Sequence, residues 1–264
     1  MSRAPIGVFD SGVGGLSVLA ALRSELPAED FVYFSDAHHA PYGERDDGFV
    51  IERTLGIARQ LVDQHAIKAL VVACNTATAA GIELLRAAHP DLPVVGVEPA
   101  LKPAAAATRT GHVGVLATRG TLGSRKFKAL HNGLQAGGVR FSLMPCDGLA
   151  GAIERADDAA VQSLAQQYVG NLGRFGKQPG EIDIMVLGCT HYPFIAAELQ
   201  QLVGPEIRLI ETGQPVAQQT RRLLAGRGQL AGAGAAGSLQ LLTRGVPAAL
   251  QQTATGWLQP QAIA

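Results

Sequence analysis

The stretch KALVVACNTAT at residues 68–78 and the stretch DIMVLGCTHYP at residues 183–193 share one pattern. Each is a short aliphatic run that ends at a cysteine, and polar residues follow the cysteine at once. An uninterrupted apolar run of this length is typical of a parallel strand that helices cover on both faces. We therefore expect Cys74 and Cys189 to lie where a buried strand ends and a helix begins.

Strands and helices alternate on both sides of these two stretches. A helix over about 46–65 would place Ile51, Leu55, Ala58 and Val62 on one face. Such alternation predicts an α/β fold built from βαβ units with right-handed crossovers. Strands are predicted at 6–9, 31–34, 69–73, 94–97, 113–117, 139–144, 182–187 and 208–210, with a ninth candidate at 238–242. Helices are predicted near 15–26, 46–65, 76–89, 159–175, 195–203 and 215–225.

The sequence also contains an approximate internal repeat. IGVFDSG at 6–12 is similar to VGVLATR at 113–119, and LVVACNT at 70–76 is similar to MVLGCTH at 185–191. One interpretation is two similar lobes that each offer one thiol. The other is that Val- and Gly-rich strand ends look alike in any α/β protein.

Composition excludes several classes of protein. The chain has 264 residues, of which 47% are hydrophobic and 17% charged, which is typical of a globular protein. The 22 basic residues balance the 22 acidic ones, so no global positive field favours nucleic acid or an anionic membrane. Neither a signal-peptide pattern nor an apolar stretch of roughly 20 residues is present. We expect no nucleic-acid partner and no membrane association.

Cysteine and histidine spacing indicates free thiols and no metal. The three cysteines match neither a disulfide framework nor a zinc motif, which favours a reducing cytoplasm. His38 and His39 are expected to be solvated loop residues. Cys146, between a proline and an aspartate, is expected to be structural.

Paired cysteines at strand ends point to proton transfer. A free thiol has a pKa of about 8.5, and a helix N-terminus favours the thiolate, so Cys74 and Cys189 are candidate bases near neutral pH. A lone buried cysteine is usually just a small apolar residue, but two in matched settings make that interpretation weaker. Pyridoxal phosphate would require a Schiff-base lysine, and none of the five lysines lies in these motifs, so no cofactor is expected.

Three further motifs offer partners for the thiols. The DSGVGG turn at 10–15 would bring Asp10 beside a thiol and let Ser11 and backbone amides hold an anion, although it could also be a plain turn capped by Ser11. Tyr42 and the Gly43 amide could bind a carboxylate or form an ordinary Pro/Gly turn. His191 could handle the proton of Cys189, or form the Cys–His pair of a hydrolase.

Together, IGVFDSGVGGLS at 6–17, PYGER at 41–45, ACNTAT at 73–78 and LGCTHYP at 187–193 resemble the glutamate racemase family, in order over about residues 5–225. The resemblance implies two pseudo-twofold-related α/β lobes, 1–98 plus 208–264 and 99–207, with the active site between them. It implies racemisation of glutamate without a cofactor, supplying D-glutamate for peptidoglycan. Cys74 would take the proton of D-glutamate and Cys189 that of L-glutamate. The segment ETG at 211–213 departs from the DSG more usual there.

The same resemblance implies a set of residues around the substrate. Glu154 is implied as the acidic residue that assists Cys189. The implied substrate contacts are Asp10, Ser11, Tyr42, Gly43, Asn75, Thr76, Thr190 and His191, with Thr118 and Thr121 as further candidates.

Three alternatives to a glutamate racemase stay open at this stage. An aspartate or hydantoin racemase of the same superfamily would be revealed by a substrate panel. A hydrolase or isomerase with a cysteine nucleophile would form a covalent intermediate visible by mass spectrometry. A two-lobed ligand-binding protein would show no activity in polarimetry. The sequence does not fix the oligomeric state, and a homodimer is one of the options.

Overall fold

The computed structural model describes residues 3–232 and 236–258, which form two parallel β-sheets. The first sheet has the strand order β4-β3-β1-β2-β9, and the second has the order β6-β5-β7-β8. The strands are β1 (Ile6–Asp10), β2 (Phe31–Ser35), β3 (Ala69–Val72), β4 (Val94–Gly96), β5 (His112–Ala117), β6 (Arg140–Pro145), β7 (Ile184–Gly188), β8 (Arg208–Ile210) and β9 (Leu239–Thr243).

Helices follow the strands and cover both sheets. They are α1 (Leu16–Glu25), α2 (Asp47–His65), α3 (Asn75–Ala88), α4 (Leu101–Ala107), α5 (Arg119–Gly123), α6 (Arg125–Ala136), α7 (Leu149–Glu154), α8 (Asp158–Leu172), α9 (Ala196–Val203), α10 (Gly213–Gly226) and α11 (Pro247–Leu258). Short 3-10 helices occupy Ala37–His39, Tyr42–Glu44 and Tyr192–Ile195.

Each sheet is the middle layer of a three-layer lobe. In the first lobe, Ile6 and Val8 pack under α1, α10 and α11, whereas Phe9 faces α2 and α3. Successive residues of a strand point to opposite faces, so an unbroken apolar strand feeds two cores. The second sheet is likewise covered by α4 and α6 on one face and by α7, α8 and α9 on the other. The predicted two-lobed α/β architecture is confirmed.

All nine predicted strands are present, with ends shifted by no more than two residues. The segments α4, α5, α6, α7 and α11 were not predicted as helices. On α2 the buried stripe is Val50, Thr54, Ile57, Ala58 and Leu61, one position away from most of the predicted face. Both sets are spaced for a helical face, and packing of α2 on the first sheet selects between them.

The predicted lobe boundary after residue 207 needs one correction. β8 (Arg208–Ile210) pairs in parallel with β7, Ile184 opposite Arg208, so it belongs to the second sheet and not to the first lobe. The strand completes a βαβ unit with β7 and α9, which places it beside β7. Only after β8 does the chain cross over, and α10 packs on α1. Residues 259–264, which the sequence analysis assigned to the first lobe, lie outside the described residues.

The two cysteines lie at the carboxyl ends of equivalent strands. Cys74 follows β3 and caps α3, whose Ala77 N–H donates to Cys74 Sγ at 3.5 Å. Cys189 follows β7 directly. Ligands of open parallel sheets bind outside this edge. Within the described ranges, no helix combines the length and apolar character needed to span a bilayer.

Candidate active site

The loop after β1 joins Cys74 to the second lobe. Asp10 is fully buried, and its Oδ2 accepts a hydrogen bond from the Gly12 N–H at 2.9 Å. Its Oδ1 accepts one from Thr190 Oγ1 of the second lobe at 3.4 Å. Burial raises the pKa of Asp10, although the nearby His191 and the Gly12 N–H oppose that rise. This carboxyl group therefore holds a proton more readily than the carboxyl group of a solvent-exposed aspartate does.

Cys74 has the hydroxyl group of Ser11 and the carboxyl group of Asp10 as its polar neighbours. Its Sγ lies 3.7 Å from Ser11 Oγ, and the side chain is only 5% exposed. Burial raises the pKa of the Cys74 thiol, and the adjacent Asp10 raises it further. The Ala77 N–H and Ser11 lower that pKa without cancelling the rise. The surroundings of this sulfur therefore favour the thiol.

Cys189 has a charged pair beside it. Its Sγ lies 3.7 Å from His191 Nδ1, and His191 Nε2 lies 2.6 Å from Glu154 Oε2. Burial alone would lower the pKa of His191, but hydrogen bonds to Cys189 and Glu154 raise it well above its ordinary value. Burial would raise the pKa of Glu154, yet His191 and the Val13 N–H lower it overall. An imidazolium held by a carboxylate therefore lies next to Cys189.

Glu154 also reaches across to the first lobe. Both of its carboxylate oxygens lie 3.1 Å from Val13 N, which donates to them. Close approach favours glycine here, because a Cβ on Gly12 would lie 2.4 Å from the Glu154 carboxylate, which would then have to shift. A Cβ on Gly14 would lie 2.4 Å from His191 Nδ1. The glycines of the DSGVGG turn therefore make room for the Glu154–His191 pair.

Hydroxyl groups from both lobes meet above the strand ends. Thr76 Oγ1 of the first lobe lies 3.0 Å from Thr118 Oγ1 of the second, and Thr118 Oγ1 donates to Thr121 Oγ1 at 2.9 Å. The Asn75 side chain donates to Val97 O at 3.4 Å, while its buried Oδ1 has no hydrogen-bond partner among the described residues. That oxygen is a free acceptor for a ligand donor such as an ammonium group.

The turn at Tyr42–Glu44 packs against the second lobe. Tyr42 is 1% exposed, and its hydroxyl donates to Asp36 Oδ2 at 2.6 Å. Gly43 lies so close to Thr118 that a Cβ would be 2.7 Å from Thr118 Cγ2. Because the Tyr42 hydroxyl already has a partner, any carboxylate contact of this turn falls to its backbone.

The sequence also singled out Cys146, His38 and His39. Cys146 is buried in the core of the second lobe, and its Sγ donates to Met144 O at 3.3 Å. His38 is exposed, whereas His39 Nδ1 lies 3.1 Å from Asp36 Oδ1. Sequence reasoning missed Asp36 and its partner Arg53, which no motif connects.

Fold and site together define a two-lobed α/β protein in which each lobe places one buried thiol, with a titratable partner, at the carboxyl end of its sheet. Residues 6–220 match the family model described as Asp/Glu/Hydantoin racemase. The chain belongs to the Asp/Glu/hydantoin racemase family.

Curated relatives narrow the comparison. The chain is 51% identical over 230 residues to the glutamate racemase of Stutzerimonas stutzeri (strain A1501), which covers 86% of this chain and 84% of that protein. It is 47% identical over 251 residues to the glutamate racemase of Pseudomonas putida (strain F1), covering 94% of this chain and 92% of the relative.

Solved structures agree with this placement. A glutamate racemase isoform from Bacillus anthracis superposes with a TM-score of 0.82 at 31% identity, covering 98% of this chain and 95% of that one. The Escherichia coli glutamate racemase, solved with L-glutamate and the activator UDP-MurNAc-Ala, gives a TM-score of 0.81 at 32% identity, covering 97% and 96%.

Proposed function

We propose that this chain interconverts L- and D-glutamate without a cofactor, with Cys74 and Cys189 as the two proton-transferring groups. The observation that carries the proposal is the pair of buried thiols, one from each lobe, at equivalent strand ends of a chain half identical to glutamate racemases. The two sulfurs are close enough for a charge on Cys189 to contribute to the raised pKa of Cys74.

In the L-to-D direction the thiolate of Cys189 takes the Cα proton. The Cα–H bond breaks, an S–H bond forms on Cys189, and the electron pair stays on the substrate as a carbanion-like intermediate. The Cys74 thiol then gives its proton to the opposite face of Cα and becomes a thiolate. The D-to-L direction uses the same steps in reverse, and exchange with water resets the two sulfurs.

Each thiol has a titratable neighbour. The His191–Glu154 pair places a positive charge 3.7 Å from Cys189 Sγ. Burial raises the pKa of Asp10 near Cys74, so this carboxyl group can hold or hand on a proton on that side. Both groups are positioned by contacts across the cleft.

Binding of the substrate carboxylates falls to the polar groups around the thiols. Deprotonation puts extra charge on the α-carboxylate, so donors arranged before the reaction stabilise the transition state. Both sulfurs are nearly buried, and exclusion of water strengthens those donors. The proposed donors and acceptors are Ser11, Tyr42, Gly43, Asn75, Thr76, Thr118, Thr121 and Thr190.

Glutamate is favoured over the other substrates of the superfamily. The Picrophilus torridus aspartate racemase and the Klebsiella pneumoniae allantoin racemase share the fold at only 15% and 18% identity, with TM-scores of 0.56 and 0.54. The relatives near 50% identity are glutamate racemases. In the cell the proposed role is to supply D-glutamate for peptidoglycan in the cytoplasm, and a homodimer stays a prediction.

Circular dichroism of the purified, reduced protein with each glutamate enantiomer and no added cofactor tests the proposal. We expect the signal from either enantiomer to decay to zero, because the equilibrium constant between mirror images in water is one. Activity on aspartate or a hydantoin, with none on glutamate, would contradict the substrate assignment. A stable optical signal with tight glutamate binding would indicate a binding protein, and a covalent adduct in mass spectrometry a nucleophilic cysteine.

A further inference from the structure

A buried carboxylate outside the proposed proton transfer lies beside the Tyr42–Glu44 turn. Asp36 is fully buried, and three side chains converge on it. Arg53 donates to Asp36 Oδ2 from Nε at 2.9 Å and to Oδ1 from Nη2 at 2.7 Å. Tyr42 donates to Oδ2 at 2.6 Å, and His39 Nδ1 lies 3.1 Å from Oδ1. Both oxygens of Asp36 are thus used within the protein.

The bidentate contact between Arg53 and Asp36 is the strongest interaction of this cluster. A guanidinium matches a carboxylate in geometry and charge, and such paired hydrogen bonds are stronger than neutral ones. Burial raises the pKa of Asp36, but the hydrogen bonds from Arg53, Tyr42 and His39 outweigh burial and lower it. Arg53 projects from the middle of α2, a 19-residue helix, so the anchor of the cluster is rigid.

The cluster connects the loop to both halves of the site. The backbone N–H of Asp36 donates to the carbonyl of Asp10 at 3.0 Å. On the other side, Glu44 Oε1 accepts a hydrogen bond from the Gly148 N–H of the second lobe at 2.8 Å. The position of the turn relative to Thr118 and the cleft therefore depends on Asp36.

We propose that Asp36 and Arg53 are positioning residues for racemisation, holding the Tyr42–Glu44 turn where its backbone can meet a substrate carboxylate. This inference rests on the proposed function, which assigns the turn to substrate binding. It gives the Tyr42 hydroxyl an internal role, because that group fastens the turn to Asp36. A loosened turn weakens binding of the substrate and of the transition state equally, so the effect appears mainly as a higher KM.

Arg53→Ala, Arg53→Lys and Asp36→Asn test the proposal in both reaction directions. Arg59→Ala is the matched control, since Arg59 lies on an exposed part of the same helix. We expect Arg53→Ala to raise KM for both enantiomers about tenfold, with a much smaller change in kcat. Arg53→Lys keeps the positive charge but cannot make the bidentate contact, so its KM should lie between those of Arg53→Ala and the wild type. Guanidinium ion added to Arg53→Ala should bring KM back towards the wild-type value.

A merely structural role would give a different result. It would reduce the folded fraction, which lowers apparent kcat and leaves KM unchanged, and guanidinium would not restore KM. That pattern, in a wild-type protein active on glutamate, overturns the positioning role alone. An inactive wild type overturns the proposed function instead. If Asp36→Asn does not fold, the Arg53 variants and the KM readout still decide the question.

Discussion

The half of the site that the first lobe builds differs from the half that the second lobe builds in what stands beside the thiol. Cys74 has the hydroxyl of Ser11 near its sulfur and the carboxyl group of Asp10 as a charge neighbour. Cys189 has His191, which Glu154 holds at 2.6 Å. The two strands hold equivalent places in their sheets, yet the titratable neighbours of the two thiols differ.

This difference shows how one fold can prepare an acid and a base of the same residue type. Burial and Asp10 keep Cys74 protonated, whereas an imidazolium accompanies Cys189. Two groups of the same type with different titratable neighbours are suited to act as an acid–base pair. Under the proposed mechanism, the arrangement with a thiol at Cys74 is the one that starts from L-glutamate. After turnover the proton distribution is inverted and suits D-glutamate.

Removal of either thiol should cause the largest loss of activity. We expect Cys74→Ser and Cys189→Ser each to lower kcat about 10²- to 10⁴-fold in both directions, because serine is nearly isosteric but far less acidic. Cys146→Ser, in the core of the second lobe, is the control and should keep activity near the wild-type level. Steady-state circular dichroism measures all three, and wild-type activity in either site variant would refute the two-thiol assignment.

Substitution of Asp10 or His191, the titratable neighbours of the two thiols, should reveal the difference between the two halves of the site directly. We expect Asp10→Asn to slow the chemical step mainly from D-glutamate and His191→Asn mainly from L-glutamate, by roughly 10²-fold. The equilibrium constant of one forces kcat/KM to be equal in both directions, so the asymmetry must appear in kcat and in primary isotope effects. Those effects, measured with Cα-deuterated substrate in each direction, check the prediction. Equal changes in the two variants would mean that both residues serve binding.

Glu154→Gln should shift the pH dependence on the Cys189 side. Its loss lowers the raised pKa of His191, so the alkaline limb of kcat from L-glutamate should move to lower pH, with about a tenfold loss at neutral pH. Profiles of kcat in both directions measure this. An unmoved alkaline limb from L-glutamate would separate Glu154 from proton handling.

The same pair makes a stability prediction whose sign follows from the two pKa shifts. The contribution of His191 is complete below its ordinary pKa of 6.5 and is lost as pH rises through its raised value. The contribution of Glu154 is complete above its ordinary pKa of 4.5 and is lost as pH falls through its lowered value. The difference in Tm between wild type and Glu154→Gln should therefore be largest between pH 4.5 and pH 6.5, the two ordinary pKa values.

Gly14→Ala should produce the smallest change, confined to the same half. The added Cβ would lie 2.4 Å from His191 Nδ1, so the imidazole must move, and we expect kcat from L-glutamate to fall about threefold to tenfold. Gly56→Ala is the control, since a Cβ there meets nothing within 4 Å and α2 should gain about 0.5–1 kcal/mol. A loss from D-glutamate as large as that from L-glutamate would contradict this confinement.

The fold was predictable from sequence because its strands are continuous apolar runs that end at turn residues. The uncertain points were those that packing decides, such as which stripe of α2 is buried and where the chain leaves the second sheet after Ile210. Local pattern cannot settle either, since both depend on neighbours that are distant in sequence. The helices α4, α5, α6, α7 and α11 were missed for the same reason.

Site residues that lie close to the cysteines along the chain were predictable from spacing, whereas those that loops bring in from elsewhere were not. Cys189 follows its strand directly, Cys74 follows its strand after one intervening residue, and His191 is two residues from Cys189. Glu154 meets His191 from 37 positions away, and only the family resemblance pointed to it. Asp36 and Arg53 are separated by 17 positions and are joined by a loop conformation that no spacing rule describes.

Exchange of the Cα proton with solvent tests the two-thiol account most directly. L-Glutamate incubated with the enzyme in D₂O and sampled at low conversion should give D-glutamate carrying deuterium at Cα, while the remaining L-glutamate stays almost unlabelled. The same should hold from D-glutamate, because Cys74 and Cys189 address opposite faces and the delivered proton comes from solvent. Early deuterium in the recovered starting enantiomer, at a level comparable with the product, would contradict two opposed bases and indicate a single one.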